Sequence, residues 1–390
     1  MTTFKLSRPL ALPALAGSVS VSGDVEFDWA SQVASQTWAE IPGTPLEDAD
    51  PDPGQTEAWA GSGGQAAIVT AWGSAWLDPA TGLQYCWGGG HSNYYGNELY
   101  VRDLSAASPA WSRVSEPSDL ASYSNATGTA TEYSDGRIRS SHVYNALVWV
   151  PGVGPVMAGL SSRATDGGHG SSAIFTFNTL TGAATASSTA TNSGSGTGVA
   201  ACYDSTRGTS GSIWMRRVGT SYIQRHDIAA DTRSNVGSQQ AWSGQCSLAA
   251  HPSGDYLLVG NGDADQGQTV SGGWCVFDCA TGTYYTPTFS GAVSGGLWPG
   301  WCQPVWVESL GCFCAWDNDT DRTRITTLTP GADPFTDTWT ISYLTISGSN
   351  TVTPSAAATQ GTYGRFAYWE QAGGFVVFNS AAETGYFYKV

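Results

Sequence analysis

Basic residues are scarce in this chain. Its 390 residues hold 16 Lys and Arg against 32 Asp and Glu, a formal net charge of −16. A nucleic-acid binder needs a basic stripe or patch, and none is visible. An anionic membrane surface would repel the protein. Charge of both signs is thin, at 12% of residues, about half the usual share. No apolar run approaches about 18 residues, so no membrane insertion is expected. Long helical periodicity is also missing. The eight cysteines never fall in C-x-x-C spacing, which removes the common zinc pattern. Cys275 and Cys279 would stand roughly 13 Å apart along a strand, too far to bridge each other. Buried free thiols are expected, with disulfide pairing left open. Nor is there a G-x-S-x-G nucleophile elbow.

Glycine and aromatics are abundant. There are 49 Gly, 17 Trp, 17 Tyr and 12 Phe, and 41% of residues are hydrophobic. Gly-rich turns with many aromatics suit short strands, so the fold class is all-β. The N-terminus has Lys5 and Arg8 before an apolar segment, but Pro9 and Pro13 interrupt it. A cleaved signal is not expected.

One unit recurs along the chain: an apolar strand, a short turn with Gly, Pro or Asp, then a second apolar strand. It reads SAWLDPATGLQYCWGG from residue 74, ALVWVPGVGPVMAG from 146 and AACYDSTRGTSGSIWM from 200. It continues as LAAHPSGDYLLVGNG from 248, PVWVESLGCFCAWDN from 304 and FAYWEQAGGFVVFNS from 366. The residues before the turns are Leu77, Val150, Tyr203, His251, Val307 and Trp369. Their spacing of roughly 50 to 70 residues is the size of a propeller blade. A third strand follows each copy, and a fourth follows five of them. The sixth lacks one, and 37-TWAEIPG-43 is available to supply it. An N-terminal strand completing the last blade closes the ring and leaves no open edge.

The run 87-WGGGHSNYYGNELYVRDL-104, followed by Trp111-Ser-Arg-Val, resembles a kelch repeat. In that family a strand ends in a glycine pair, then come a loop, an aromatic-rich strand and a Trp strand. The resemblance implies a six-bladed kelch-like β-propeller closed by an N-terminal strand. It assigns residues 37–390 to the propeller and 1–36 to an extended docking arm. Gly88 to Gly90 are expected to end a strand and turn the chain.

Loop lengths are asymmetric. The first-to-second and third-to-fourth turns are short. The other connections, such as 88–97, 160–171, 116–141 and 346–364, are long, and in an antiparallel blade they emerge on one side. Function concentrates on long loops over rigid scaffolds. That face is therefore expected to bind ligand through His91, Tyr94, Tyr95, Arg139, His169, Trp298, Trp301 and Arg365. Aromatics with a few polar groups suit sugar rings. Tyr94 and Tyr95 are expected to be dispensable for folding.

Three acidic runs have metal-ligand spacing: Asp48-Ala-Asp50-Pro-Asp52, Asn261-Gly-Asp263-Ala-Asp265, and Asp317-Asn-Asp319-Thr-Asp321. None carries the full EF-hand pattern. Solvated acidic loops are the first expectation. Structural calcium on Asp317, Asp319 and Asp321 is the alternative, and no other cofactor is expected.

The whole profile, acidic, poor in lysine and rich in small residues, with an arm, resembles accessory proteins of tailed-bacteriophage virions, of the tail-fibre or receptor-binding type. That resemblance implies a non-enzymatic virion protein in an oligomeric assembly. It would attach to other virion subunits through residues 1–36 and bind a host-surface glycan. The alternative is a secreted carbohydrate-active propeller enzyme, a glycoside hydrolase or a copper-radical oxidase. His91, His142, His169, His226 and His251 are too scattered for the sequence to gather a metal pair.

Overall fold

The computed structural model describes residues 28–90, 93–119, 131–160, 171–188, 199–217, 222–237, 246–261, 274–291, 302–316, 321–358 and 361–390. Six sheets are present among them. Blade 1 holds Ala75–Leu77, Leu83–Cys86, Tyr100–Asp103 and Ser112–Arg113. Blade 2 holds Leu147–Val150, Gly154–Leu160, Ser171–Phe177 and Ala184–Ala186. Blade 3 holds Ala200–Asp204, Ser212–Arg216, Ile223–Asp227 and Thr232–Val236. Blade 4 runs through Cys246–Ala250, Tyr256–Asn261, Trp274–Asp278 and Tyr284–Tyr285. Blade 5 runs through Val305–Val307, Cys312–Trp316, Ile325–Thr329 and Trp339–Tyr343. Blade 6 combines Ala367–Trp369, Gly374–Val377 and Tyr386–Lys389 with Thr37–Glu40. The first strands of successive blades neighbour one another all the way round, from blade 1 to blade 6 and back. This is a six-bladed β-propeller.

Closure follows the expected route. Thr37–Glu40 pairs antiparallel with Tyr386–Lys389, with Trp38 opposite Tyr388. The Trp38 indole donates to the Thr323 carbonyl at 2.7 Å, tying the closing strand to blade 5. Between blades 1 and 2 the Trp76 indole donates to the Val156 carbonyl at 2.7 Å. The core lies between the blades, and Trp76, Trp87, Trp214, Trp274, Trp316, Trp339 and Trp369 are fully buried. Pleated strands pack such large side chains into the wedge between adjacent sheets.

Gly88 to Gly90 answer the turn expectation. Their φ angles are +106°, +126° and +110°, a region L side chains rarely adopt. A Cβ on Gly88 would stand 2.7 Å from the Ser141 carbonyl oxygen, and one on Gly89 would stand 2.9 Å from Tyr94 Cβ.

Three features differ from the sequence reading. First, the C-terminal part of the predicted arm belongs to the propeller. Asp28–Ser31 forms one helical turn. The Trp29 ring packs on Phe387 at 5.3 Å and Trp369 at 6.1 Å, and its indole donates to the Leu104 carbonyl at 2.9 Å. The docking boundary at residue 36 is therefore corrected: residues 28–36 sit on blade 6, and the rest of the arm lies outside the described residues. Second, the stretch 284-YYTPTFS-290, expected as the fourth strand of the fourth copy, is split between blades. Tyr284–Tyr285 edges blade 4, while Phe289–Gly291 pairs in parallel with Trp339–Tyr343 of blade 5. Pro287 has no N–H to give the blade 4 ladder, which ends before it. Third, residues 41–74 carry short helical turns at Leu46–Ala49, Ala58–Ala60 and Ala67–Thr70 over the blade 6–blade 1 seam. All eight cysteines are buried, and none is in a disulfide.

Candidate functional site

The turns between first and second strands place aromatic rings around the propeller axis. Inner-strand residues of all six blades line an axial cavity of about 780 Å³. The lining includes Pro79, Pro151, Pro252, Glu308 and Glu370, which sit in or beside those turns, so the cavity opens on the short-turn face. Its walls are mostly apolar, and its mouth holds Trp149, Tyr203, Trp306 and Tyr368, one each from blades 2, 3, 5 and 6. All four are half-buried.

Each ring is held from behind. Trp149 stacks on Tyr85 at 6.0 Å and 11°. Trp306 meets His251 at 4.3 Å and Phe313 at 4.9 Å, and its indole donates to Glu308 Oε2 at 2.7 Å. Tyr368 lies 4.9 Å from Phe375. The Tyr203 hydroxyl donates to the Ser210 carbonyl at 3.3 Å. Rings fixed before a ligand arrives lose little conformational entropy on binding. His251 is itself stacked on Tyr256 at 4.5 Å. Burial holds its pKa below the usual imidazole value, so it serves Trp306 as a neutral wall.

Deeper in the channel, Gln303, just before the first strand of blade 5, reaches towards blades 4 and 3. Its amide donates to the Ala201 carbonyl at 2.9 Å and the Leu248 carbonyl at 3.4 Å. Its Oε1 is buried and receives no hydrogen bond. The mouth therefore offers flat rings, exposed carboxylate acceptors on Glu308 and Glu370, and no basic side chain among the described lining residues.

The residues expected on the long-loop face divide. His91, His169, Trp298 and Trp301 lie outside the described residues, as do Asp317 and Asp319. Tyr94 is corrected from ligand contact to core. It is fully buried, meets Trp59 edge-on at 5.9 Å, and donates to Glu98 Oε1. Tyr100 donates to the same oxygen at 2.6 Å. Burial, outweighing these hydrogen bonds, raises the Glu98 pKa above the usual carboxylate value. Arg365 is corrected too. It is fully buried and gives its N–H groups to the carbonyls of Phe378 and Val69, both at 2.9 Å, and to those of Gly361 and Gly73. It staples the closure seam and is shut off from any ligand. Tyr95 and Arg139 are half-buried. The Tyr95 carbonyl accepts from the Tyr133 hydroxyl at 2.7 Å, and Arg139 lies 5.4 Å over the Tyr133 ring. These three bind loop to loop.

The acidic runs act in turns where they are described. Asp52 accepts from the Glu57 N–H at 2.7 Å and from Thr56 Oγ1 at 3.0 Å, and Asp50 accepts from the Asp52 N–H at 2.9 Å. Asp321 Oδ1 accepts from Thr323 Oγ1 at 2.6 Å. Among the described residues no group of three or more His, Cys, Asp or Glu is placed to hold a metal ion. The axial rings were missed because short turns were read as inert. Aromatics recurring just before those turns were the available signal.

No family model matches the chain, and no curated protein matches it. Among solved structures, it is similar to the major Malassezia sympodialis allergen Mala s 1, at 12% identity and a TM-score of 0.44. That match covers 91% of this chain and 96% of the other.

Proposed function

We propose that this protein is a non-enzymatic recognition module that binds a neutral host-surface glycan at the axial mouth, as an accessory subunit of a virion. The observation that carries the reading is the ring of four pre-held aromatics around the axial cavity. A pyranose has an apolar face for such rings and hydroxyls to donate to Glu308, Glu370 and Ser309. The exposed carboxylates and the net charge of −16 disfavour sialylated or uronic partners. The kelch-like pattern of blade 1 and the phage-like composition support the virion part of the proposal. Attachment then falls to the residues before 28. A glycan array read with the wild type and with Trp306→Ala tests the site. Co-purification of the full chain, but not of a chain lacking residues 1–27, with virion subunits tests the setting.

A second reading rests on Glu308 and Glu370 sharing the mouth, since glycoside hydrolysis needs two carboxylates flanking one bond. Release of reducing sugar from an array hit by wild type, but not by Glu308→Gln or Glu370→Gln, would favour that reading over simple binding.

A further inference from the structure

A second cavity, of about 330 Å³, lies at the seam between blades 2 and 3, away from the axis. Val156 and Ile174 of blade 2 face Ile213 and Ile228 of blade 3 across it, and its polar end is made by His226 and Asp231. His226 is 4% exposed, and its Nδ1 is buried without a hydrogen-bond partner. Its Nε2 stands 3.7 Å from Asp231 Oδ1. The other Asp231 oxygen accepts from the Ser188 N–H at 2.8 Å and from the Ser188 hydroxyl.

The turn that carries Asp231 is unusual within this chain. Blades 2, 3 and 4 close their third and fourth strands with five-residue turns, Asn178 to Gly182, Asp227 to Asp231 and Asp278 to Gly282. The last residue is left-handed in all three, with φ of +70° at Gly182, +47° at Asp231 and +72° at Gly282. Blades 2 and 4 use glycine, which adopts this conformation freely. Blade 3 places an aspartate there at a conformational cost. The product of that cost is a carboxylate beside His226.

The carboxylate biases the tautomer of the ring. Burial works against charge on Asp231, but the Ser188 hydrogen bonds and the Arg233 charge hold its pKa below the usual value. Burial first, then Arg233, lowers the His226 pKa, against the pull of Asp231 and Asp227. At 3.7 Å Asp231 Oδ1 is beyond hydrogen-bond reach and, like Nδ1, is buried without a hydrogen-bond partner; its negative charge favours the neutral tautomer that turns the Nε2 proton towards it. That leaves Nδ1 as an acceptor at the end of an aliphatic cavity, and a buried acceptor left without a donor is costly.

We infer that this inter-blade cavity is a binding site for a small, neutral, largely apolar molecule that carries one O–H or N–H donor for His226 Nδ1. The site is independent of the axial mouth.

Phenol and toluene test it, because they share a shape and differ in the donor. Each is titrated into protein labelled with nitrogen-15 in its five histidines, and the His226 ring resonances are followed. Phenol is expected to bind saturably, moving the Nδ1 signal, and about tenfold more tightly than toluene. Asp231→Gly restores the residue used in the neighbouring turns, so the fold should hold while the preference for phenol is lost. Equal affinity for the two probes, no saturable His226 shift with either, or an undiminished phenol preference in Asp231→Gly would overturn the inference.

Discussion

Replacing Arg365 with alanine should open the closure seam. The side chain is fully buried, and its donors reach four main-chain carbonyls, those of Val69, Gly73, Gly361 and Phe378. Two precede blade 1 and two flank the first two strands of blade 6, so one guanidinium spans the joint where the ring begins and ends. Burial pushes the Arg365 pKa down to about 10, which places it still charged at neutral pH. Each stranded acceptor costs about 1–3 kcal/mol. Releasing the buried charge returns several kcal/mol of desolvation, so the four losses do not simply add. A net destabilisation of about 2–4 kcal/mol follows, the stranded acceptors less the recovered desolvation. Urea unfolding followed by tryptophan fluorescence measures it directly. Arg365→Lys keeps the charge but replaces a planar fork with a single ammonium, and should fall between wild type and alanine. A loss below about 1 kcal/mol for alanine, typical of a surface site, would refute the reasoning.

Glu98→Gln should flatten part of the pH dependence of stability. The Glu98 pKa is raised in the fold, chiefly by burial, so the folded state holds its proton more tightly than the unfolded chain does. Stability is therefore present below the unfolded carboxyl value and falls as pH rises towards the folded value, by at most ~1.4 kcal/mol per pH unit. Thermal melts of wild type and variant from pH 4 upward check this, and parallel curves would contradict it. Deleting residues 1–45 should remove both the closing strand and the Trp29 anchor and leave no cooperative melt. A sharp unfolding transition in that truncated chain would show the ring closes without them. Addition of a chelator should leave the melting temperature unchanged, because Asp321 is already engaged by Thr323, and a drop of several degrees would restore calcium to the Asp317–Asp321 run.

Much of the fold was legible because its signals are local and repeated. Turns such as Asp78-Pro-Ala-Thr-Gly82 and Asp278-Cys-Ala-Thr-Gly282 punctuate period-two strands at blade spacing. The missing fourth strand near Val390 pointed to Thr37–Glu40. The arm boundary failed because nothing in 28-DWAS-31 states that Trp29 meets Phe387, a contact set by two chain ends brought together at closure. Tyr94 and Arg365 were misread for a related reason. A polar or aromatic residue in a long loop looks available in sequence, whereas here the loops fold inward and spend those side chains on Glu98 and on main-chain carbonyls. Loop length was taken as the guide to function and pointed to the long-loop face, of which His91, His169, Trp298 and Trp301 lie outside the described residues. Around a six-bladed ring even short turns converge, so Trp149, Tyr203, Trp306 and Tyr368 line one cavity although each stands alone in its own repeat.

The central claim is that a neutral glycan is recognised at the axial mouth. Its most direct test is a glycan array of the wild type, followed by calorimetric titration of the best hit into Trp306→Ala and Tyr368→Ala. The account predicts neutral hits, with each substitution weakening binding by about 1–3 kcal/mol, the scale of losing an aromatic anchor, while circular dichroism stays that of the wild type. Affinity unchanged in both variants, or hits confined to sialylated glycans, would contradict it.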